Sequence, residues 1–313
     1  MAVGRADVLA ARARIDGRLH RTPVLSSRTL SERVGAEVFL KAELLQRTGS
    51  FKPRGVLNVL ATLSAEERAH GVIGISAGNH AQALAYGAAL EGLDCLVVMW
   101  RGASAQKIAA ARGYGAAVDL RATGPAGAFE RLEELIAESG RVLVHPFDDP
   151  RTIAGQGTVG LEIHEDLPGV RAVVVPVGGG GLVAGICAAI DCRVLAVEPE
   201  RSPALRAALE AGRPVPVEPA SIADGLNAPF AGATALAVCR DRVESVLVTE
   251  DEIRRAMRFV YERAKLACEP AGAVGVAAML AGKVAVLPGA TIAVVVSGGN
   301  VAAQTASAIL AGE

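Results

Sequence analysis

Residues 172–190 read AVVVPVGGGGLVAGICAAI, and this stretch decides the fold class. Its first six residues form an uninterrupted apolar run, which is typical of a strand buried on both faces of a parallel sheet. Four glycines follow at positions 178–181, and an Ala-rich helical segment begins directly after them. A strand, a glycine turn and a helix in this order predict one unit of an α/β sheet.

The same unit recurs on both sides of this stretch. An apolar run leads into a Gly-Asn turn at residues 75–79 and again at residues 296–300. Short β-branched runs alternate with Ala-rich helical segments along most of the chain, and the predicted strands are too many for one compact sheet. We therefore predict an α/β protein with two open, mostly parallel twisted sheets covered by helices.

The order of these segments also suggests a division into domains. We expect one hinge near Ala65 and another near Pro150. Residues 1–64 and 150–313 would then form a large domain, and residues 65–149 would form a small α/β domain inserted into it.

Composition and charge argue against several classes of protein. The 313 residues include 32 basic and 33 acidic side chains, a balance that disfavours a nucleic-acid binder or a polybasic membrane-surface protein. The long apolar stretches at 172–190 and 291–310 are both interrupted by glycines, so neither predicts a membrane span. The N-terminal residues show no apolar signal-peptide core, and the five cysteines lack ligand spacing. These features favour a cytoplasmic protein without a metal site.

Lysine is scarce in this chain. Only five of the 32 basic residues are lysines, and they stand at positions 41, 52, 107, 265 and 283. Chemistry that needs an amine nucleophile therefore has few candidates. We expect four of them, Lys41, Lys107, Lys265 and Lys283, to be solvated surface charges or packing side chains.

The four glycines at 178–181 predict an anion site, because backbone N–H groups at a helix start converge on a phosphate. Two classes of cofactor fit these glycines, a compact phosphate monoester and a dinucleotide. The spacing Gly179-x-Gly181-x-x-Ala184, with Glu198 ending the next predicted strand, also satisfies the dinucleotide fingerprint. A nicotinamide-dependent oxidoreductase is therefore an alternative from a different class of function.

The segment Ser50-Phe51-Lys52-Pro53-Arg54-Gly55 favours the phosphate monoester over the dinucleotide. It places a lysine at the predicted start of a helix, with a proline suited to the first turn. An amine beside the positive end of a helix should have a lowered pKa and react readily with an aldehyde.

Four segments together resemble the serine/threonine dehydratases and serine racemases, which are fold type II pyridoxal-phosphate enzymes. They are residues 50–55, residues 76–82 (Ser-Ala-Gly-Asn-His-Ala-Gln), the glycines at 178–181, and Ser297-Gly298-Gly299-Asn300. The resemblance runs from about residue 20 to about residue 301, in the order and spacing of the family. It implies the two-sheet fold of the tryptophan synthase β type and the cofactor pyridoxal 5'-phosphate (PLP).

The resemblance also assigns roles. Lys52 would bind PLP as a Schiff base and would remove the Cα proton of the substrate. Asn79 would face the phenolic oxygen of the cofactor, and Ser297 its pyridine nitrogen. The residues implied to hold the cofactor are Phe51, Lys52, Asn79, Gly178, Gly179, Gly180, Gly181, Gly225 and Ser297. Those implied to bind the substrate α-carboxylate are Ser76, Ala77, Gly78, Asn79 and His80.

The implied activity is elimination of water from L-threonine or L-serine, giving 2-oxobutanoate or pyruvate and ammonia. Racemases of the family carry a serine where this chain has Ala77, so racemisation is disfavoured. A related enzyme for another β-hydroxy amino acid, such as hydroxyaspartate, and an idle ligand-binding relative remain as alternatives.

Two further expectations concern metal and assembly. The family's cation site uses an acid at Glu198 and another six residues later, where this chain has Ala204, so we expect no metal. The chain ends soon after Asn300, so we expect no C-terminal regulatory domain. Ala-rich helices such as residues 271–280 suggest packing against a second subunit in a homodimer.

Overall fold

The computed structural model describes residues 3–312, so residues 1, 2 and 313 of the predicted large domain lie outside the described residues. Ten strands are present there: β1 (Val24–Ser26), β2 (Glu37–Lys41), β3 (Val72–Ile75), β4 (Cys95–Trp100), β5 (Ala117–Ala122), β6 (Val142–Leu143), β7 (Ala172–Pro176), β8 (Arg193–Pro199), β9 (Val243–Val248) and β10 (Thr291–Val295).

Helices occupy most of the intervals between the strands. They are α1 (Arg5–Ile15), α2 (Arg28–Val34), α3 (Lys52–Leu60), α4 (Ala65–His70), α5 (Asn79–Glu91), α6 (Ala105–Gly113), α7 (Pro125–Ser139), α8 (Pro150–Asp166), α9 (Gly181–Ala189), α10 (Ala204–Ala211), α11 (Ala233–Cys239), α12 (Glu250–Phe259), α13 (Pro270–Leu280) and α14 (Ala303–Ala311). None of the helices within residues 3–312 has the length and apolar composition needed to cross a bilayer.

The strands form two sheets, as the sequence predicts. A six-stranded sheet has the order β1-β2-β10-β7-β8-β9, and a four-stranded sheet has the order β5-β4-β3-β6. All neighbouring strands run parallel except β1, which pairs antiparallel with β2 at the edge. The expectation of two mostly parallel sheets covered by helices is therefore confirmed.

Apolar side chains cover both faces of each sheet. In the six-stranded sheet, β7 contributes Val174 to one buried cluster and Val173 to the opposite one, because successive side chains alternate between faces. The four-stranded sheet is covered in the same way by two smaller clusters. These continuous apolar strands explain why the sequence pattern identifies them.

Helix α3 packs against the four-stranded sheet on one face and against helix α8 on the other. It contributes Val56, Val59 and Leu60 to the core of the four-stranded sheet. Its other face meets α8 so closely that a Cβ on Gly155 would lie 2.4 Å from the carbonyl oxygen of Arg54. The division at residues 64/65 and 149/150 stays a prediction, and α3 stands between the two sheets.

Helix α13 corrects one expectation. Residues 270–279 of this helix are all buried within the chain, in the core of the six-stranded sheet. The Ala-rich composition therefore reflects close packing on the chain's own strands, and this helix offers no surface to a second subunit.

Candidate active site

Lys52 begins helix α3, with Pro53 in the first turn. The residue is partly buried, and its amine donates a hydrogen bond to the carbonyl oxygen of Pro146 at 2.8 Å. Burial of the amine lowers the pKa of Lys52 to about 8, although attraction to Glu269 opposes this shift. The ring of Phe51 lies against the amine, with 5.2 Å between Nζ and the ring centroid. The predicted lysine thus stands at a helix start with a desolvated amine, and its role as a nucleophile stays a prediction.

The tetraglycine turn connects β7 to the start of α9. Side chains have no room there. A Cβ on Gly179 would lie 2.3 Å from the Phe147 ring, and one on Gly181 would lie 2.7 Å from Oε1 of Gln156. Gly180 has φ +91°, which strains any other residue. The turn thus brings bare backbone N–H groups to the N-terminal end of a helix, where an anion binds well.

Asn79 lies at the first turn of α5, after the end of β3. Its side-chain nitrogen donates to Oε1 of Glu269, and its side-chain oxygen accepts from Nδ2 of Asn300, both at 2.7 Å. A Cβ on Gly225 would stand 3.8 Å from Nδ2 of Asn79. Asn79 and Gly225, which are far apart in sequence, therefore line one space.

Ser297 follows β10 and is buried. Its carbonyl oxygen accepts a hydrogen bond from the backbone N–H of Phe51 at 3.3 Å, and Ser50 forms a bridge with Gly298. The loop that contains Ser297 and Gly298 is therefore attached to the segment that carries Lys52. Lys52, the tetraglycine turn, Asn79 and Ser297 all lie at or after the carboxyl ends of parallel strands, which is where α/β sheets bind ligands.

The side chains of the turn at residues 76–80 differ in burial and in hydrogen bonding. The hydroxyl of Ser76 accepts from the backbone N–H of Gly78 at 3.0 Å. Ala77 and Gly78 are partly exposed, whereas His80 is buried with Nε2 2.8 Å from the carbonyl oxygen of Val144. Burial lowers the pKa of His80 to about 3, helped by the charge of Lys52. The His80 side chain is thus neutral and turned into the protein, so only its backbone faces the turn.

Comparison with known proteins identifies the family. The family model for pyridoxal-phosphate dependent enzymes matches residues 15–298. The chain belongs to this family.

Individual relatives agree with this assignment. The chain is similar to an L-threonine ammonia-lyase of Thermotoga maritima, with 45% identity over 94% of this chain and 75% of the relative. Its structure resembles maize serine racemase, with TM-score 0.93 and 36% identity over 97% and 96% of the two chains. It also resembles the serine racemase of Dictyostelium discoideum, with TM-score 0.89 and 36% identity over 96% and 99%.

The residues present fit the cofactor of a pyridoxal-phosphate dependent enzyme. Beside the tetraglycine turn, the side chain of Gln156 is buried and neither of its polar atoms has a partner among residues 3–312. An unsatisfied buried amide next to a turn of bare N–H groups suits a phosphate. The Lys52 amine supplies the group that bonds an aldehyde.

The dinucleotide alternative fits less well. Glu198 is the second-last residue of β8 and is buried, and its carboxylate accepts from the backbone N–H groups of Leu205 and Arg206 at 2.7 and 2.8 Å. Both oxygens therefore cap the start of α10 and are not free for a ribose. Within the described range, no group of three or more acidic, His or Cys side chains is arranged to hold a metal.

An ion network that the sequence does not predict supports the start of α3. The Arg54 guanidinium donates to Glu43 at 2.8 and 2.9 Å and to Glu162 at 2.7 and 2.9 Å. Lys41 donates to Glu162 at 2.6 Å and is fully buried. Of the two roles expected for it, the solvated surface charge is therefore wrong, and the side chain is packed inside with its charge paired. Lys107 pairs with Asp224, next to Gly225. Pairing partners this distant in sequence leave no local signal.

The pKa of Lys52 gives a direct prediction. In the cofactor-free protein, half of the Lys52 amines should be neutral near pH 8, compared with about pH 10.4 for an unperturbed lysine. Labelling by an amine-directed reagent should therefore rise through a midpoint near pH 8. Mass spectrometry of the labelled peptide, with a model lysine peptide in the same tube, measures both midpoints. Coincident midpoints would contradict burial of the amine.

Proposed function

We propose that this enzyme is a PLP-dependent ammonia-lyase that converts L-threonine or L-serine to 2-oxobutanoate or pyruvate and ammonia. The proposal depends most on one observation. The Lys52 amine is desolvated and feels the charge of Glu269, the residue that bonds Asn79. It also bonds the carbonyl oxygen of Pro146, whose neighbour Phe147 packs on the tetraglycine turn. These contacts support one shared ligand space, in a chain 45% identical to a protein named L-threonine ammonia-lyase.

The chain's own residues can perform the proton transfers of this elimination. When bound, PLP supplies an electron sink for the electron pair left at Cα. The Lys52 amine can take up the Cα proton near neutral pH, because its pKa is about 8 and a base works best near the ambient pH. The β-hydroxyl needs one proton to depart as water, and the Lys52 amine carries one after taking up the Cα proton. The released enamine then adds water and gives the 2-oxo acid and ammonia in solution.

The turn before α5 is suited to the substrate carboxylate. Helix α5 spans thirteen residues, and its first intrahelical hydrogen bond is donated by Gln82 to the carbonyl of Gly78, so the N–H groups of residues 79–81 have no partner within the helix. These groups and the helix dipole favour an anion. We infer that the backbone of Ser76, Ala77, Gly78, Asn79 and His80 binds the α-carboxylate, with the His80 side chain holding the turn in place from behind.

Racemisation is the second candidate, because the structure is so similar to maize serine racemase. Racemisation requires a proton donor on the face of Cα opposite Lys52. Ala77 stands where the racemases of the family carry a serine, and a methyl group transfers no proton. This substitution favours elimination.

One assay separates these candidates. The purified protein, supplied with PLP, should develop a visible absorption band and release 2-oxobutanoate from L-threonine or pyruvate from L-serine. Chiral chromatography of the remaining serine measures any D-serine. Release of oxo acid from hydroxyaspartate alone would change the substrate class, and D-serine without oxo acid would favour the racemase. A protein that stays colourless with PLP would overturn the proposal.

We further propose that the enzyme acts as a homodimer in the cytoplasm. All five cysteines are free thiols, as expected in a reducing compartment. Light scattering of the purified protein tests the assembly, and a monomer at working concentrations would contradict it.

A further inference from the structure

The side chain of Asn79 is held from two sides by residues that belong to segments of the six-stranded sheet. Asn79 begins α5 beside the four-stranded sheet, whereas Glu269 immediately precedes α13 and Asn300 follows β10. The three side chains form a chain of hydrogen bonds, each 2.7 Å long, and a further bond of 2.7 Å joins Asn300 to the carbonyl oxygen of Thr48.

The two ends of this chain determine how both amides are oriented. A backbone carbonyl only accepts hydrogen bonds, so Asn300 must turn its nitrogen toward Thr48. That nitrogen has two hydrogens, and the second is donated to Asn79. Asn79 must therefore present its oxygen to Asn300 and its nitrogen to Glu269. Rotating the Asn79 amide by half a turn would set two N–H donors against each other at Asn300 and would turn the Asn79 oxygen toward Glu269.

One N–H group of Asn79 remains available for a ligand. Its nitrogen has two hydrogens, and Glu269 receives only one of them. A Cβ on Gly225 would lie 3.8 Å from this nitrogen and 3.6 Å from Oε1 of Glu269. The hydrogen-bonded pair therefore borders the space that the missing side chain of Gly225 leaves open.

The same chain of bonds reaches the loop before Lys52. Thr48 has φ +60°, a left-handed conformation that is unfavourable for a residue with a side chain. Asn300 holds the Thr48 carbonyl, and the backbone N–H of Gly299 donates to the Gly49 carbonyl at 2.9 Å. Asn300 thus connects the loop that leads to Lys52 with the side chain of Asn79.

We propose that Glu269 and Asn300 are positioning residues, which fix the Asn79 amide so that its remaining N–H is directed at the phenolic oxygen of PLP. This inference rests on the proposed function. A hydrogen bond donated to that oxygen favours its ionised form. The bound cofactor absorbs visible light when the oxygen is ionised and near-ultraviolet light when it is neutral, so the spectrum reports the orientation directly.

Asn300→Asp is the sharpest variant, because it keeps the size of the side chain and replaces the donor by an acceptor. We expect the ratio of visible to near-ultraviolet absorbance at fixed pH to fall severalfold. We also expect the dissociation constant of PLP, titrated into cofactor-free protein, to rise about tenfold, as for loss of a hydrogen bond to an ionised group. Glu269→Ala should shift both quantities in the same direction.

Two further variants separate positioning from general damage. Glu269→Gln retains an acceptor for Asn79, so its spectrum should stay close to that of the wild type. Asn58 is a buried asparagine that bonds the carbonyl oxygen of Arg151 at 2.7 Å, and Asn58→Ala should lower stability without changing the spectrum. If Asn300→Asp and Glu269→Ala both kept the wild-type spectrum and affinity, the inference would fail while the proposed function stood. A wild-type protein that bound no PLP would overturn both.

Discussion

Replacement of Lys52 by alanine should abolish the visible absorption band of the protein supplied with PLP and reduce kcat by about 10³-fold or more. The reason is that, in the proposed mechanism, Lys52 supplies both the amine that bonds the cofactor and the base that removes the Cα proton. Absorption spectra and oxo-acid release from L-threonine measure the two losses. A mass spectrum after borohydride reduction should show the added cofactor mass on residue 52 of the wild type alone.

Two companion variants make this result specific. Lys52→Arg keeps a positive charge, but a guanidinium does not form the covalent bond, so this variant should be as inactive as the alanine variant. Lys283, which pairs with Glu252 on the surface, provides the control, and Lys283→Ala should keep the band and the turnover. An active Lys52→Arg enzyme would mean that Lys52 acts only as a charge.

Replacement of Arg54 by methionine should reduce the free energy of unfolding by about 3–5 kcal/mol, since it leaves buried carboxylates without their main partner. Glu43 is fully buried and would retain the Thr22 hydroxyl as a side-chain partner, while Glu162 would retain Lys41. Urea denaturation at pH 7 measures the loss. Arg28→Met, at an exposed pair with Glu32, is the matched control and should unfold at the wild-type urea concentration.

The effect of Arg54→Met should also depend on pH. In the wild type, burial opposes the ionisation of Glu162, but Arg54 and Lys41 outweigh it and lower the pKa of Glu162 below its usual value. A lowered pKa in the folded state stabilises the fold above the unfolded pKa of about 4.3, and this contribution is lost as the pH falls through the folded value. The difference between variant and wild type should therefore stay constant from pH 7 to about pH 5 and shrink as the pH falls below about 4. A difference that is constant with pH would indicate lost packing instead.

The sequence predicts those parts of the fold that are determined by residues close together in the chain. The strand and glycine turn at 172–181 are recognisable because one run of residues contains the whole unit. Strand β1 has only three residues and pairs antiparallel at an edge, so it has no repeating pattern to detect. Helix α13 looks suited to a subunit contact by composition, and only its position on the sheet shows that it is buried.

The parts of the site that the sequence misses depend on distant contacts. Lys52 and the glycines are identified by type and spacing, but the partners of Arg54 lie 11 and 108 positions away. Asn79 and Glu269 are separated by 190 positions. The inward direction of His80 likewise follows from the carbonyl of Val144, which no local pattern reveals.

The pairing of β2 with β10 has a consequence for biosynthesis. Thr291 stands opposite Glu37 in this pair, 254 positions later in the chain. At a translation rate of about 5–20 residues per second, on the order of 10–50 s pass between synthesis of these two strands. During that interval β2 has no neighbour on the side that β10 will occupy, whereas the four-stranded sheet, complete by Leu143, can already assemble. The nascent chain therefore exposes an apolar strand edge for most of its synthesis, which is the state that chaperones protect from aggregation.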